Sequence, residues 1–280
     1  MIWELRHEYK VSLLLDVAGL ARATYYYHTK RRQVPDKYSE IKEQITNIFH
    51  ENHGRYGYRR ITLEMRNRGY CINHKTVQRL MNNLKLECKV RIKKYRSYKG
   101  EVGKVAPNLL ERDFSTTAPN QKWVTDVTEF SLFGQKIYLS PILDLYSSDV
   151  VSYVISDKPV LSMVMNMAKK AIEILPSGAH PILHSDQGWQ YQHKHYQYLL
   201  EQCGIQQSMS RKGNCLDNAV MENFFGLLKS ELLYLEEFDS MEHFIMALKD
   251  YLDYYNNRRI KVKLKGLSPA IHRKQALLIA

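Results

Sequence analysis

Three carboxylates in the second half of the chain have types and settings suited to chemistry: Asp126, Asp186 and Glu222. Asp126 interrupts the alternating run Trp123 to Thr128, a strand-like segment in which an aspartate is disfavoured. Asp186 stands where the apolar run PILHSD gives out into Gln187 and Gly188, and strand ends are where α/β sheets place their sites. Glu222 falls in a helix opened by Leu216, Asp217 and Asn218. Carboxylates supply the hard oxygens that Mg²⁺ prefers. Two such ions about 3.5 to 4 Å apart can serve both the attacking and the leaving oxygen of an in-line phosphoryl displacement. No covalent protein nucleophile is then required. Spacing alone decides nothing, because Asp186 and Glu222 are separated by 35 residues and 17 acidic residues follow Asp113. Chance supplies on the order of one acidic pair at any chosen separation in such a segment.

The elements that must position these groups are legible as periodicities. Asn218, Glu222, Gly226 and Lys229 fall within roughly 40° of one helical meridian, with Val220, Phe224 and Leu227 opposite. A catalytic face and a solvated stripe on an amphipathic helix share this pattern. Upstream, KWVTDVTEFSL, KIYLSPILDLYS and DVVSYVIS predict three strands of an antiparallel meander, with FGQ turning between the first two. A helix over Val160 to Ile174, a fourth strand at HPILHSD, a helix ending at Gly204 and a fifth strand at IQQSMS follow. Three strands and then alternating helix and strand describe a mixed α/β sheet in the order of a ribonuclease-H-like fold.

The front of the chain is different in charge. Of a net +12, all lies between Met1 and Asp113, where 24 basic residues face 12 acidic ones; after Asp113 there are 17 of each. A cationic front end points to a polyanion, with nucleic acid leading, since each Lys or Arg set on a phosphate releases counterions. Two helix pairs are predicted there. In KVSLLLDVAGLARATYYY, Leu14, Val17 and Leu20 point inward around a break at Gly19, the pattern of a DNA-reading pair and equally of an ordinary hairpin. The second pair has a basic helix from Arg59 to Arg68, including Arg60, a stop at Gly69, and Asn73 as N-cap of the next helix. That helix turns Val77, Leu80, Met81 and Leu84 inward and presents Lys75, Gln78, Arg79 and Asn82, types that read base edges and phosphates. The segment RIKKYRSYKGEVGKVAP, with Lys93 and Lys94, lacks an apolar face and reads as a basic linker that could also follow a DNA backbone. The expected division is a helical region over 1–90, a linker over 91–113 and an α/β domain over 114–280 with a helical tail.

The segments WVTDVT, HSDQGWQY and SMSRKGNCLDNAVMENFFGLLKSE resemble the DD(35)E core of insertion-sequence transposases, specifically the second-reading-frame (OrfB-like) product of the class related to retroviral integrases. YGYRRI, the helix pair after it and YNNRRIKVKLKGLSP are similar to that family too, so the resemblance spans nearly the whole chain. It implies a ribonuclease-H-like integrase core behind a helix-turn-helix DNA-binding region. It implies a metal-dependent DNA strand transferase, with Asp126, Asp186 and Glu222 holding two Mg²⁺ ions, Mn²⁺ being a substitute. It also sets Lys229 against the terminal base pairs of the element. The implied partners are terminal inverted repeats and target DNA, further copies of the chain in a synaptic complex, and an upstream-frame helix-turn-helix product, separate or fused. A nuclease of the same fold that only hydrolyses, and a terminal-repeat-binding repressor with an inactive core, are the rival functions.

Other conspicuous residues receive plainer expectations. His50 and His53 form an HxxH, but Cys71 and Cys88 lie far apart, so zinc is not expected. Trp123 and Trp189 are expected to pack, His184 to be satisfied in the core, and Asp217 with Asn218 to cap a helix. Asp144 is the rival of Asp126 on the next strand. Four cysteines that form no close pair, a start without an apolar signal core and no run of about 18 apolar residues lead to the expectation of a reduced, cytoplasmic protein without a membrane partner, which the resemblance would place at the nucleoid.

Overall fold

The structure is a computed structural model that describes residues 2–33, 36–89, 105–211 and 215–279. It opens with three short helices, α1 (Ile2–Leu5), α2 (Val11–Val17) and α3 (Arg22–Gln33). The turn at Gly19 has φ +60°, as a left-handed glycine permits. The inward face differs from the expected one. Leu15 and Tyr25 are buried while Val17 is 82% exposed, because the run Leu13 to Leu15 offers three meridians and contact with α1 and α3 selects that of Leu15.

Helices α4 (Ser39–Glu51), α5 (Tyr58–Asn67) and α6 (His74–Asn83) form the second helical group. The Asn73 carboxamide accepts from the Lys75 N–H at 2.8 Å and starts α6 where the sequence places it. Val77, Leu80 and Met81 are buried against Ile45, Ile48 and Phe49 of α4 and Ile61 and Met65 of α5, with Leu84 partly covered. Lys75, Gln78, Arg79 and Asn82 are exposed.

The sheet is built from β1 (Lys122–Thr125), β2 (Thr128–Leu132), β3 (Gln135–Asp144), β4 (Val150–Ser156), β5 (Ile182–Ser185) and β6 (Gln206–Met209). The first predicted strand is two, interrupted at Asp126 and Val127, yet its register against β3 continues across the gap. Thr125 faces Ile142 and Thr128 faces Leu139 on β3, three residues along each chain. Phe133 and Gly134, both at positive φ, make the two-residue hairpin turn. β4 pairs antiparallel on the far side of β3, while β5 pairs parallel to β1 and β6 parallel to β5. Read across, the sheet runs β4, β3, β1 with β2, β5, β6, the mixed order expected from the sequence.

Alternation divides the sheet between two cores. Trp123, Ile142 and Leu183 meet α7 (Leu161–Glu173) through Val164, Met167, Ala168 and Ala171, and α8 (Lys194–Gln202) through Tyr196 and Leu200. Val124, Phe130 and Leu143 face the other way. There they join α9 (Ala219–Leu228), which follows a 3₁₀ turn at Cys215–Asn218, and α10 (Met241–Asn257). A π-helical turn, Lys229–Leu233, lies between α9 and α10, and a 3₁₀ turn, Val262–Leu264, precedes α11 (Pro269–Ile279). This second core also contains the buried residues of α4, α5 and α6, so helical front and sheet share one apolar interior. Part of the predicted linker is docked: the Leu109 N–H donates to Ser208 Oγ at 2.9 Å and Met209 N–H to Pro107 O at 3.2 Å. Lys93 and Lys94 lie outside the described residues. Among the described residues no helix is long and apolar enough to cross a membrane.

Candidate active site

Asp126 and Asp186 each stand one residue beyond the C-terminal end of a strand, β1 and β5, and these strands are adjacent and parallel. The pairs Lys122 with Ile182, Trp123 with Leu183 and Val124 with His184 fix the register. Continued two residues, it sets Asp126 beside Asp186. The break between β1 and β2 falls here: Asp126 and Val127 leave the ladder, and the Asp126 carboxylate stands at the C-terminal end of β1. Asp126 Oδ1 accepts from the Val127 N–H at 2.7 Å and Oδ2 from Asn218 Nδ2 at 3.1 Å. Asp186 Oδ1 accepts from the Gly188 N–H at 2.9 Å. A Cβ at Gly188 would lie 3.0 Å from that same oxygen, so any side chain there would press on the Asp186 carboxylate.

Asn218 ties the start of α9 to Asp126, and Glu222 stands one turn further along the same face. Glu222 reaches Asp126 through its charge. Burial, then the Asp186 and Glu222 charges, pushes the Asp126 carboxyl well above its ordinary range; burial raises Asp186 and Glu222 too. Lys229 opens the π-helical turn rather than closing the predicted helix. Half-buried, it lies 5.6 Å over the Phe130 ring and interacts by charge with Glu129 and Asp126. Its acidity is increased by burial. The core face of α9 is Met221, Phe224, Phe225 and Leu228, one meridian round from the expected Val220, Phe224 and Leu227.

The residues fit a hard divalent cation: adjacent carboxylates that oppose each other's ionisation, and a buried Asn218 Oδ1 without a hydrogen-bond partner among the described residues. Among the described residues no three Asp, Glu, His or Cys side chains are gathered tightly enough to hold an ion as they stand.

Other expectations come out differently. Trp123 packs, fully buried, with Nε1 donating to Asp144, whereas Trp189 is 55% exposed beside the Asp186 loop. Asp144 is no rival: its carboxylate is buried beneath the Asn120 and Tyr146 N–H donors and the Arg273 guanidinium, 3.2 Å away. His184 is half satisfied, Nδ1 meeting Ser208 Oγ at 2.8 Å while Nε2 has no partner among the described residues. The expected cap is not made: Asn218 stands at the N-cap of α9 without a side-chain cap hydrogen bond, and Asp217 is engaged elsewhere. It is buried and binds Arg211 and Arg112, which hold it well below the usual carboxylate range, and it anchors Asn108. Arg59 is exposed, while Arg60 turns inward to lie 3.6 Å from the buried Glu231 carboxylate. Glu231, Arg259 and Arg55 were not anticipated as polar residues of the interior; the only sequence signal of Glu231 and Arg259 was their place within the resembling segments, and Arg55 stands just before one of them.

Comparison with known proteins adds three matches of family models: an HTH-like domain over residues 37–94 and two integrase core domain models over 116–215 and 222–277. InsK of insertion sequence element IS150 from Escherichia coli is 54% identical over 98% of this chain and 97% of its own length. The transposase for insertion sequence element IS904 from Lactococcus lactis is 36% identical over 82% of this chain and 91% of its own. The transposase InsF for insertion sequence IS3A from Escherichia coli is 31% identical over 94% and 93%. Among solved structures, the HTLV-2 integrase catalytic core domain in complex with magnesium is similar at TM-score 0.44 and 20% identity, covering 56% of this chain and 97% of that one.

Proposed function

We propose that this chain, which belongs to the insertion-sequence transposases with an HTH-like domain and an integrase core domain, cuts and rejoins DNA at element ends with Asp126, Asp186 and Glu222 as its catalytic carboxylates. The observation that carries the reading is the parallel register that brings Asp126 beside Asp186, with the charge of Glu222 in reach. The three would hold Mg²⁺, or Mn²⁺ in its place. When bound, two such ions would supply Lewis acidity to the attacking and leaving oxygens of a phosphodiester.

The chain's own residues set the geometry. Val127 and Asn218 fix the two oxygens of Asp126, and Gly188 fixes one of Asp186. The Lys229 ammonium places positive charge at the rim, suited to a phosphate or a terminal base pair. Water would first release a 3′-OH at the element end. That hydroxyl would then exchange one phosphodiester for another in target DNA, with no net loss of bonds. Lys75, Gln78 and Arg79 on the exposed face of α6 would hold terminal-repeat DNA, with Arg59 on the neighbouring helix contributing phosphate contacts. In this reading residues 1–90 recognise DNA, 91–113 connect and 114–280 react. Pairing two ends makes an oligomer of the chain part of the active complex, with an upstream-frame helix-turn-helix product as a further partner and the nucleoid as its place of action.

Asp126→Asn, Asp186→Asn and Glu222→Gln, each in the full chain, test the assignment through Mg²⁺-dependent cleavage and joining of terminal-repeat DNA. Each is expected to reduce both products to background. Undiminished activity in any one removes that residue from the site, and cleavage without joined products in the unaltered chain would favour the nuclease.

A further inference from the structure

Just past the helix that carries Glu222, the chain is gripped from two directions. Glu231, two residues beyond Lys229 in the π-helical turn, is buried at 1% exposure. Its Oε2 accepts from Arg259 Nε at 2.7 Å and from the Tyr251 hydroxyl at 3.0 Å, and its Oε1 from Arg259 Nη2 at 2.6 Å. Arg259, from the segment after α10, is equally buried. From the loop between α4 and α5, Arg55 donates Nε to the Glu231 backbone carbonyl at 2.9 Å and pairs with Glu236. Its guanidinium lies over the rings of Tyr251 and Tyr254. Three distant segments, YGYRRI with the Arg55 before it, LLKSE and YNNRRI, thus meet on one turn.

A buried ion pair is a poor way to gain stability, because desolvation consumes most of the attraction and apolar replacements often do as well. What a bidentate guanidinium supplies is orientation. A π-helical turn is irregular backbone that frequently marks functional positions, and this one begins at Lys229.

We propose that Glu231 is a positioning residue for strand cutting and joining: its clasp by Arg259, Tyr251 and Arg55 fixes the turn that sets Lys229 and the Glu222 helix against Asp126. The proposal rests on the catalytic reading above for its activity test. The carboxylate stays ionised there, since burial pushes it up but the Arg259 and Arg60 charges bring it below its ordinary range.

The experiment compares the full unaltered chain with Tyr251→Phe, Glu231→Gln and the double variant Glu231→Gln with Arg259→Met. Removing both charges of the fully buried pair together leaves only Arg60, 24% exposed and able to reach water, without its carboxylate, which keeps a folded protein to measure. Three quantities are read: binding of a terminal-repeat duplex, single-turnover Mg²⁺-dependent cleavage at saturating protein, and amide exchange across Lys229–Leu233. The double variant is expected to bind within about twofold of the unaltered chain, because its DNA-facing residues are untouched. It is expected to cleave about tenfold to a hundredfold more slowly, the scale of a small misplacement of reacting groups, and to exchange faster across the turn. Tyr251→Phe gives a smaller slowing in the same direction. Single-turnover cleavage within about twofold of the unaltered chain, or unchanged exchange across the turn, overturns the inference. An unaltered chain that cleaves nothing counts against the catalytic reading, and the exchange comparison then decides the role of Glu231.

Discussion

Asp126 shows at the scale of one residue what a site of like charges does to a fold. Its carboxyl is pushed up by burial and by the charges of Asp186 and Glu222, so the folded chain holds that proton more tightly than the unfolded chain does. The sign follows: the contribution is fully favourable below the unfolded value near 3.8 and is lost as pH rises through the raised folded value. At neutral pH without a divalent ion the group works against folding. Asp126→Asn is therefore expected to raise metal-free stability at pH 7 by on the order of 1 kcal/mol, about 2 to 4 °C in Tm. Mg²⁺ should raise the Tm of the unaltered chain and that of Asp126→Asn much less. Differential scanning calorimetry with and without Mg²⁺ checks both. If Asp126→Asn melts lower than the unaltered chain in EDTA, the strained-carboxylate account fails. This residue was visible in the sequence because an aspartate inside a β-branched run is locally anomalous. Asp217 was misread because one of its two partners, Arg112, lies 105 positions away, and nothing in the local pattern marks the other, Arg211 six residues before it, as turning back onto a buried carboxylate.

At the scale of the element, α6 was legible almost entirely. Its cap, its 3.6-residue apolar repeat and its polar face are all written within the eleven residues Asn73–Asn83. The turn after α9 was not legible, since Glu231 and Arg55 are separated by 176 positions and their pairing arises only on packing. That difference divides the arginines of the front half by role. Arg79 sits exposed over the Tyr38 ring and Lys75 is exposed beside the cap, whereas Arg60 is spent on Glu231. The double variant Lys75→Ala with Arg79→Ala is expected to lower the slope of log affinity against log salt by about 2, since each phosphate contact contributes about 0.9. Arg60→Ala should leave that slope unchanged while lowering thermal stability. Titrations of a terminal-repeat duplex over a range of salt measure this. A slope that falls equally for Arg60→Ala would return Arg60 to the DNA surface.

Across the whole molecule the charge division and the packing division do not coincide. All of the net +12 precedes Phe114, yet the apolar interior runs from Ile45 and Val77 through Val124 and Phe130 to Phe244 and Tyr255 without a seam at that boundary. Composition registers surface charge, and contiguity of a core depends on which faces meet, so the first was readable from the chain and the second was not. Tyr56 is one of the stitches. Fully buried on the loop before α5, its hydroxyl accepts from the Ile260 N–H at 2.9 Å and donates to Arg258 O at 3.2 Å. Tyr56→Phe leaves that buried N–H unsatisfied, a cost of about 1 to 3 kcal/mol. If the helical front and the sheet were independent bodies, such a change would displace only one of two calorimetric transitions. With a shared core, residues 36–89, 105–211 and 215–279 are expected to unfold in a single transition that Tyr56→Phe shifts as a whole, by about 2 to 4 °C for each kcal/mol. DNA bound to α6 would by the same linkage stabilise the catalytic strands as well as the helices that hold it. Amide exchange of β1 and β5 with and without a terminal-repeat duplex measures that transfer; protection confined to α4, α5 and α6 would mean that the common core does not carry it.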